Sequence, residues 1–438
     1  MKLRILLGTL GFLGWATSCT QTPSVVDAKS GGLEAPPPTA AVDYPVPAAA
    51  GPDTLARLAI RHHPSIAAAR HRAERLDAKV PQESALPDPT LEVAAGSMAE
   101  TAAGRMEAMG AVKQKIPFPG KRREAAAAAN SEASAARAEI KALELKLTEQ
   151  VHAAWWDLHL TEQTLRLTRE SKSLLESMSD TVDARVAAGQ ANQSDQLRLA
   201  NEVGLIDRDL LEAQQLGNTA RARLNSLLNR PAGSKLSIAG DAPIPSAGSL
   251  ATLLARAEAR HPEVAAAQRK SDAFRHRLKR AELERYPDVT AGLAGASISS
   301  SGLAPMANGR DQVYGTLGVN IPLWQEPRRA MIREAGEGIA ETEAMVAAAR
   351  SDLRYRVEDA WFRATTARDV VDLFENRLIP DALQTYEVTL TGYSAGTSDF
   401  NGLVETWRQL LAYQLQLARN RAQLGKATAT LRAAAAID

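Results

Sequence analysis

Between residues 122 and 188 the sequence contains neither proline nor glycine. Nothing in that stretch stops a helix, and roughly 65 residues at 1.5 Å each make a rod about 100 Å long. Leu143, Leu147, Val151, Trp155, Leu158 and Leu165 recur along it at helical spacing. A lone helix cannot bury such a stripe, so the rod requires other long helices beside it, as in a coiled coil or a helical barrel. Residues 328–391 form a similar stretch, interrupted by Gly336, Gly338 and Pro380. An interior glycine costs about 1 kcal/mol relative to alanine, so both glycines point to close backbone packing.

The two long stretches belong to a duplication. His63-Pro64-Ser65-Ile66-Ala67-Ala68-Ala69 matches His261-Pro262-Glu263-Val264-Ala265-Ala266-Ala267. In the same order, Pro87-Asp88 matches Pro287-Asp288, and Ile116-Pro117-Phe118 matches Ile321-Pro322-Leu323. Val151 to Trp155 matches Val357 to Trp361, and the stretch ending at Gly189 matches the one ending at Gly396. Each half reads as a helix, two strands, a very long helix, a turn at Gly189 or Gly396, and a return helix to about Leu228 or Leu431. The first helix is expected over 64–86, with Pro64 in its first turn and Pro87 and Pro89 ending it.

The strands are short and alternating. Leu91, Val93 and Ala95 alternate with Glu92 and Ala94, and Val112, Gln114 and Ile116 with Lys113 and Lys115. In the second half Val313, Gly315, Leu317, Val319 and Ile321 alternate with Tyr314, Thr316, Gly318 and Asn320, and the partner strand over 289–298 is rich in glycine and alanine. Each approaches the 9–11 residues that a tilted strand needs to cross a bilayer. Four strands cannot close a barrel, since the smallest bacterial single-chain barrels have eight. An open sheet would leave unpaired N–H and C=O groups in lipid. Other copies of the chain must complete it, and three copies supply twelve strands, enough to enclose an aqueous lumen.

The N-terminus reads as a targeting segment. Lys2 and Arg4 precede the apolar run from Ile5 to Trp15, which is too short to span a bilayer, and Ala16-Thr17-Ser18 leads into Cys19. Ala16-Thr17-Ser18-Cys19 resembles a bacterial lipobox, with alanine where leucine is commonest, and Cys19 is the expected site of lipidation. Seven prolines between residues 20 and 52 interrupt any helix or sheet. A second Pro/Gly-rich stretch lies over 230–249. The chain therefore divides into a signal peptide (1–18), a lipidated Pro-rich tether (19–52), a first structural repeat (53–229), a linker (230–249) and a second structural repeat (250–438).

Composition excludes several classes. Lys and Arg number 52 against 51 Asp and Glu, so there is no global electrostatic signature of nucleic-acid binding. Cys19 is the sole cysteine, which rules out an internal disulfide and a cysteine metal cluster. No phosphate loop, metal motif or nucleophile constellation occurs, so an enzyme is not expected, nor a cofactor other than lipid on Cys19. The His62-His63 doublet is not repeated at Arg260-His261, and His63 before a helix-starting proline reads as structural. Trp155 and Trp361 occupy equivalent positions and read as packing residues. Lys121-Arg122-Arg123, between strand and helix, reads as an interfacial anchor below a barrel.

Taken together, the chain from about Leu55 to Leu431 resembles the TolC-type outer-membrane efflux family. The residues that carry the resemblance are the paired His-Pro starts, Leu86-Pro87-Asp88-Pro89 with Tyr286-Pro287-Asp288, and Gln114-Lys115-Ile116-Pro117-Phe118-Pro119-Gly120-Lys121-Arg122. Ile321-Pro322-Leu323, Ala188-Gly189 and Tyr393-Ser394-Ala395-Gly396 complete the set. The resemblance implies a mostly α fold with a membrane β-barrel, in which a homotrimer builds a 12-stranded barrel and an α-helical periplasmic barrel. It implies an outer-membrane, lipid-anchored duct that docks onto a periplasmic adaptor and an inner-membrane pump of the RND type. Gly189 and Gly396 then lie at adaptor-docking tips, Asp195, Asp399 and Glu405 at the pore aperture, and Tyr393 where the family holds its entrance closed. The 114–122 segment resembles the heavy-metal branch, so metal cations are the expected cargo, with small organic molecules as the alternative. A periplasmic coiled-coil scaffold without a barrel is the competing architecture.

Overall fold

The computed structural model describes residues 41–96, 100–189, 191–238, 240, 242–300, 306 and 308–437. The lipidation candidate Cys19 and the signal segment lie outside them. Three helices open the first repeat: α1 (Pro52–His62), α2 (Pro64–Asp77) and α3 (Lys79–Ser84). Strands β1 (Thr90–Ala95), β2 (Glu100–Thr101) and β3 (Gly104–Ile116) follow, then α4 (Lys121–Ala187) and α5 (Gln193–Leu227). The second repeat runs α6 (Leu250–Arg260), α7 (Pro262–Leu283), β4 (Val289–Ile298), β5 (Gln312–Val319) and α8 (Gln325–Leu373). A π turn at Phe374–Leu378 leads into α9 (Ile379–Ala395), and α10 (Phe400–Ala434) returns.

Local chemistry explains the breaks. Pro52, Pro64 and Pro262 each open a helix, where a missing N–H costs nothing. His63 and His261, each preceding a proline, are extended, and each imidazole Nδ1 accepts the backbone N–H two residues on, from Ser65 at 3.2 Å and Glu263 at 3.3 Å. The helix expected over 64–86 is divided at Ala78, because Pro81 has no N–H to donate back into the preceding turn. Its counterpart α7 lacks a proline after the first position and runs unbroken for 22 residues. Pro380 widens the helix into the π turn, in which Ile379 N–H bonds the Phe374 carbonyl.

The long helix α4 has 67 residues and is the spine of the fold. It packs against α2 and α7 and against α5 and α10, with α7 packing on α8 in turn. The strands form one antiparallel sheet in the order β1-β3-β4-β5, with β2 a short extension on β3. The two repeats thus meet at β3 and β4, where Val112 faces Leu293 and Ile116 faces Val289. Among the described residues, the edges β1 and β5 have no further strand beside them.

Equivalent side chains repeat their bonds in both halves. Trp155 Nε1 donates to the Ala50 carbonyl and Trp361 Nε1 to that of Gly248, both at 3.0 Å. Arg122 reaches the Ser84 carbonyl and Arg328 that of Glu284. The tryptophans are packing residues, as expected, and they also anchor the segments that precede each repeat. The end of the Pro-rich stretch is consequently docked: Val42 N–H bonds Asn229 O at 3.2 Å, Tyr44 Oη donates to Leu228 O at 2.7 Å, and Ala50 bridges to Ile238.

The strand-to-helix junction corrects one expectation. Lys121 is buried rather than lying in an exposed anchor. Its ammonium sits 2.9 Å from Asp288, 3.0 Å from Glu284 and 3.0 Å from the Tyr286 carbonyl. Phe118 stacks on Tyr286 with ring centroids 4.5 Å apart, and its N–H donates to Asp288 at 2.9 Å. Burial alone would raise the Asp288 carboxyl. The Lys121 ammonium, the Phe118 N–H and Lys115 outweigh it and hold the group below the ordinary carboxylate range. An ammonium out of water is stable only with such partners, which is why the basic run does not lie at the surface as a unit.

Candidate functional site at the hairpin tips

The hairpins α4–α5 and α9–α10 pack on one another at their turns. Leu175, Met178 and Val182 of α4, Leu199 and Ile206 of α5, and Tyr386, Phe400, Leu403 and Trp407 of the second hairpin form one buried cluster there. Gly396 ends α9 in the left-handed region (φ 79°), with its N–H returned to the helix, and Thr397 N–H bonds the Gly392 carbonyl at 2.8 Å. Gly189 takes a similar φ of 72° after α4. Side chains are strained in that region, so glycine is the residue that lets each helix reverse. Both glycines are exposed, with open space where a Cβ would stand at Gly189.

Tyr393 is buried at the core of the tip. The Arg185 guanidinium lies 4.5 Å from its ring centre and also donates to its carbonyl, joining the first hairpin to the second. Its hydroxyl is buried without a hydrogen-bond partner among the described residues. Burial raises the phenol above its ordinary range; Arg185 opposes the shift and the Asp195 carboxylate adds to it. Tyr393 therefore remains a neutral phenol, with Asp195 close enough for its field to be felt.

Asp195 is half-buried in the first turn of α5, where the helix N-terminus favours a carboxylate. Asp399 is exposed and caps α10, accepting Gly402 N–H at 3.2 Å. Glu405 is exposed one turn further on and acts on Arg408. The structure thus gathers Asp195 and Tyr393, gives Asp399 a capping role, and leaves Glu405 exposed beside Arg408.

Two further bonds between the hairpins were not foreseen. Arg198 Nη1 lies 2.5 Å from Asn401 Oδ1, and Arg408 Nε lies 3.0 Å from the buried Glu202 carboxylate. A signal for Glu202 existed: it falls between Leu199 and Ile206 on the apolar stripe of α5, where a lone charge requires a partner. Among the described residues no group of three His, Cys, Asp or Glu side chains could hold a metal ion, and no helix is long and apolar enough to cross a membrane.

Solved structures with low sequence identity share this architecture. VceC of Vibrio cholerae, an outer membrane protein, superposes with a TM-score of 0.71 at 18% identity, covering 88% of this chain and 95% of its own. CusC, whose folding and transmembrane channel formation have been described, gives 0.72 at 16%, covering 90% and 99%. The fold is that of an outer-membrane channel. The chain belongs to the outer membrane efflux protein family, whose model matches residues 55–230 and again 253–436. Over 398 residues it is 23% identical to the cobalt-zinc-cadmium resistance protein CzcC of Cupriavidus metallidurans, covering 89% of this chain and 90% of that protein.

Proposed function

We propose that this chain is one protomer of a homotrimeric efflux duct that carries metal cations across the periplasm and outer membrane. The observation that carries the reading is the two-faced, two-edged sheet. On one face Leu91, Val93, Leu293, Val313 and Leu317 are exposed side chains suited to lipid. On the other, Glu92 pairs with Lys113 at 2.6 Å and Thr290 lies opposite Lys115, a face suited to water. Unpaired edges cannot persist in hydrocarbon, so three such sheets joined edge to edge make the twelve-stranded barrel. The long helices then enclose the tunnel, and the tips at Gly189 and Gly396 dock onto a periplasmic adaptor fed by an inner-membrane pump of the RND type. Asp195, Asp399 and Glu405 recur three times around the aperture, with Tyr393 holding its closed form. Lipid on Cys19 adds a second hold on the membrane, and the duct works without a resident cofactor.

Likeness to a cobalt-zinc-cadmium resistance protein supports metal cations as cargo. So does the 114–122 segment. Seven histidines and eight methionines without a soft-ligand run suit a passage that does not select its ion, selection falling to pump and adaptor. The test is a strain lacking the gene, challenged with cobalt, zinc, cadmium, copper and silver and with a panel of dyes and antibiotics. Metal sensitivity rescued by the intact gene is expected. Sensitivity to organic compounds alone would overturn the metal cargo and keep the duct; sensitivity to neither would count against efflux.

A further inference from the structure

A cavity of about 770 Å³ lies where helices of the two repeats meet away from the sheet, between α1, α4, α6, the start of α7 and the end of α10. Its wall carries five cations: Arg57 of α1, Lys141 of α4, Arg256 and Arg260 of α6, and Arg432 of α10. Only two acids, Asp53 and Glu144, face them there. We infer that this cavity binds a free multivalent oxyanion, a polyphosphate or polycarboxylate compound held by Arg57, Lys141, Arg256 and Arg260.

Both acids are already engaged. Asp53 lies 3.2 Å from His152 and 3.5 Å from Arg432, and Glu144 lies 3.5 Å from Arg70. The remaining cations are not neutralised. Arg57 donates to the Thr54 hydroxyl at 3.2 Å and Arg256 to the Ala436 carbonyl at 3.1 Å. Among the described residues neither of them, nor Lys141 or Arg260, has a carboxylate partner. Nearby arginines do have one: Arg72 meets Glu139 at 2.9 Å and Arg354 meets Glu258 at 2.6 Å. All four cavity cations are exposed, so water sustains their charge until an anion replaces it.

The duplication does not account for these cations. Counting from the paired His63 and His261, Arg57 corresponds to Ala255, Arg256 to Leu58 and Arg260 to His62. Counting from Trp155 and Trp361, Lys141 corresponds to Ala347. Charge is therefore gathered at this junction and not at its counterpart positions. The volume falls in the range of small-molecule sites, about 300–1,000 Å³, which favours a ligand with several oxyanion groups over a single small ion. Guanidinium forks match the paired oxygens of phosphate and carboxylate alike.

Depth along α4 separates a free anion from a lipid headgroup. Lys141 stands twenty positions beyond Lys121, the first residue of α4, roughly 30 Å along the helix at 1.5 Å per residue. With the sheet in the membrane, headgroups end near the start of α4. That step alone rests on the duct reading.

Isothermal titration calorimetry tests the site on the full-length protein in neutral detergent, with pyrophosphate and separately citrate as probes. Saturable binding of at least one is expected, weakening as salt is raised. Arg57→Gln and Lys141→Gln, on different helices and both at exposed positions, should each weaken it by about tenfold, the scale of one charge-assisted hydrogen bond. Arg75→Gln, an exposed cation of α2 outside the cavity, should leave it unchanged. No binding of either probe, or an equal loss from Arg75→Gln, would overturn the site. Asp438 follows Ile437 of the cavity wall and lies outside the described residues. Binding seen only in Asp438→Asn would show the chain's own carboxylate as the occupant and overturn the proposal too. In nanodiscs, affinity should be the same with phosphatidylglycerol as with phosphatidylcholine. Competition by the anionic lipid would make the ligand a headgroup and overturn the free anion. None of these titrations requires transport, so a strain that shows no efflux phenotype would remove the duct and leave the site standing.

Discussion

Gly336 and Gly338 stand two positions apart on α8 and meet different surroundings. A Cβ at Gly338 would lie 2.3 Å from the Phe274 ring of α7, whereas one at Gly336 meets nothing within 4 Å. The close packing expected at both glycines holds at one. Gly338→Ala should destabilise the protein by about 1–3 kcal/mol through overpacking. Gly336→Ala should stabilise it by up to about 1 kcal/mol through helix propensity. Thermal unfolding in detergent, followed by circular dichroism, compares the two; equal shifts would show that the Phe274 contact does not limit the approach of α7. Sequence alone could not separate them, because periodicity marks a helix face and not the side chain that arrives from another helix.

The imidazole caps of α2 and α7 are a property of elements, repeated because the repeat is. Each Nδ1 must be unprotonated to accept its N–H. Burial lowers the His63 pKa; burial is also the main cause at His261, where Glu263 and a bond to the Ala433 carbonyl oppose it and Arg356 adds to it. An unfolded histidine titrates at about 6.5, so as pH falls the unfolded chain takes up protons first. The stability from these caps is complete above that value and is lost as pH falls from it towards the depressed folded pKa values. Apparent melting temperature should therefore drop between about pH 7 and pH 5. The double variant His63→Asn, His261→Asn, with asparagine a good cap, should flatten the slope. His152, lowered mainly by burial, leaves a remainder. A slope identical in the double variant would remove the caps as its cause.

An aperture exists only in the whole molecule. One Asp195 is an acid at a helix start; three around a threefold axis are a ring that concentrates cations. In planar bilayers Asp195→Ala should lower cation selectivity and weaken block by multivalent cations. Unchanged selectivity and block would put the constriction elsewhere on the tip. The bonds that hold the two hairpins together, from Arg185 to Tyr393 and from Glu202 to Arg408, belong to this scale as well, since each joins residues more than 200 positions apart.

What the sequence by itself determined was the set of parts. Proline and glycine placement set the helix lengths, a period of two marked the strands, and the duplicated motifs gave the order; α4 and β4 lie within a residue or so of where those signals put them. Membrane-length strands too few to close also implied further copies. The tertiary structure decided who meets whom. Lys121 reads as a surface anchor until Asp288, 167 positions away, is brought to 2.9 Å. Asp399 carries no sequence mark of the Gly402 N–H that it caps at the start of α10. Tyr393 carries no sequence mark of the Arg185 cation above its ring. Periodicity is local and records only that a face is buried, whereas an ion pair or a ring contact is fixed by distances between segments far apart in the chain, which only the packed structure sets.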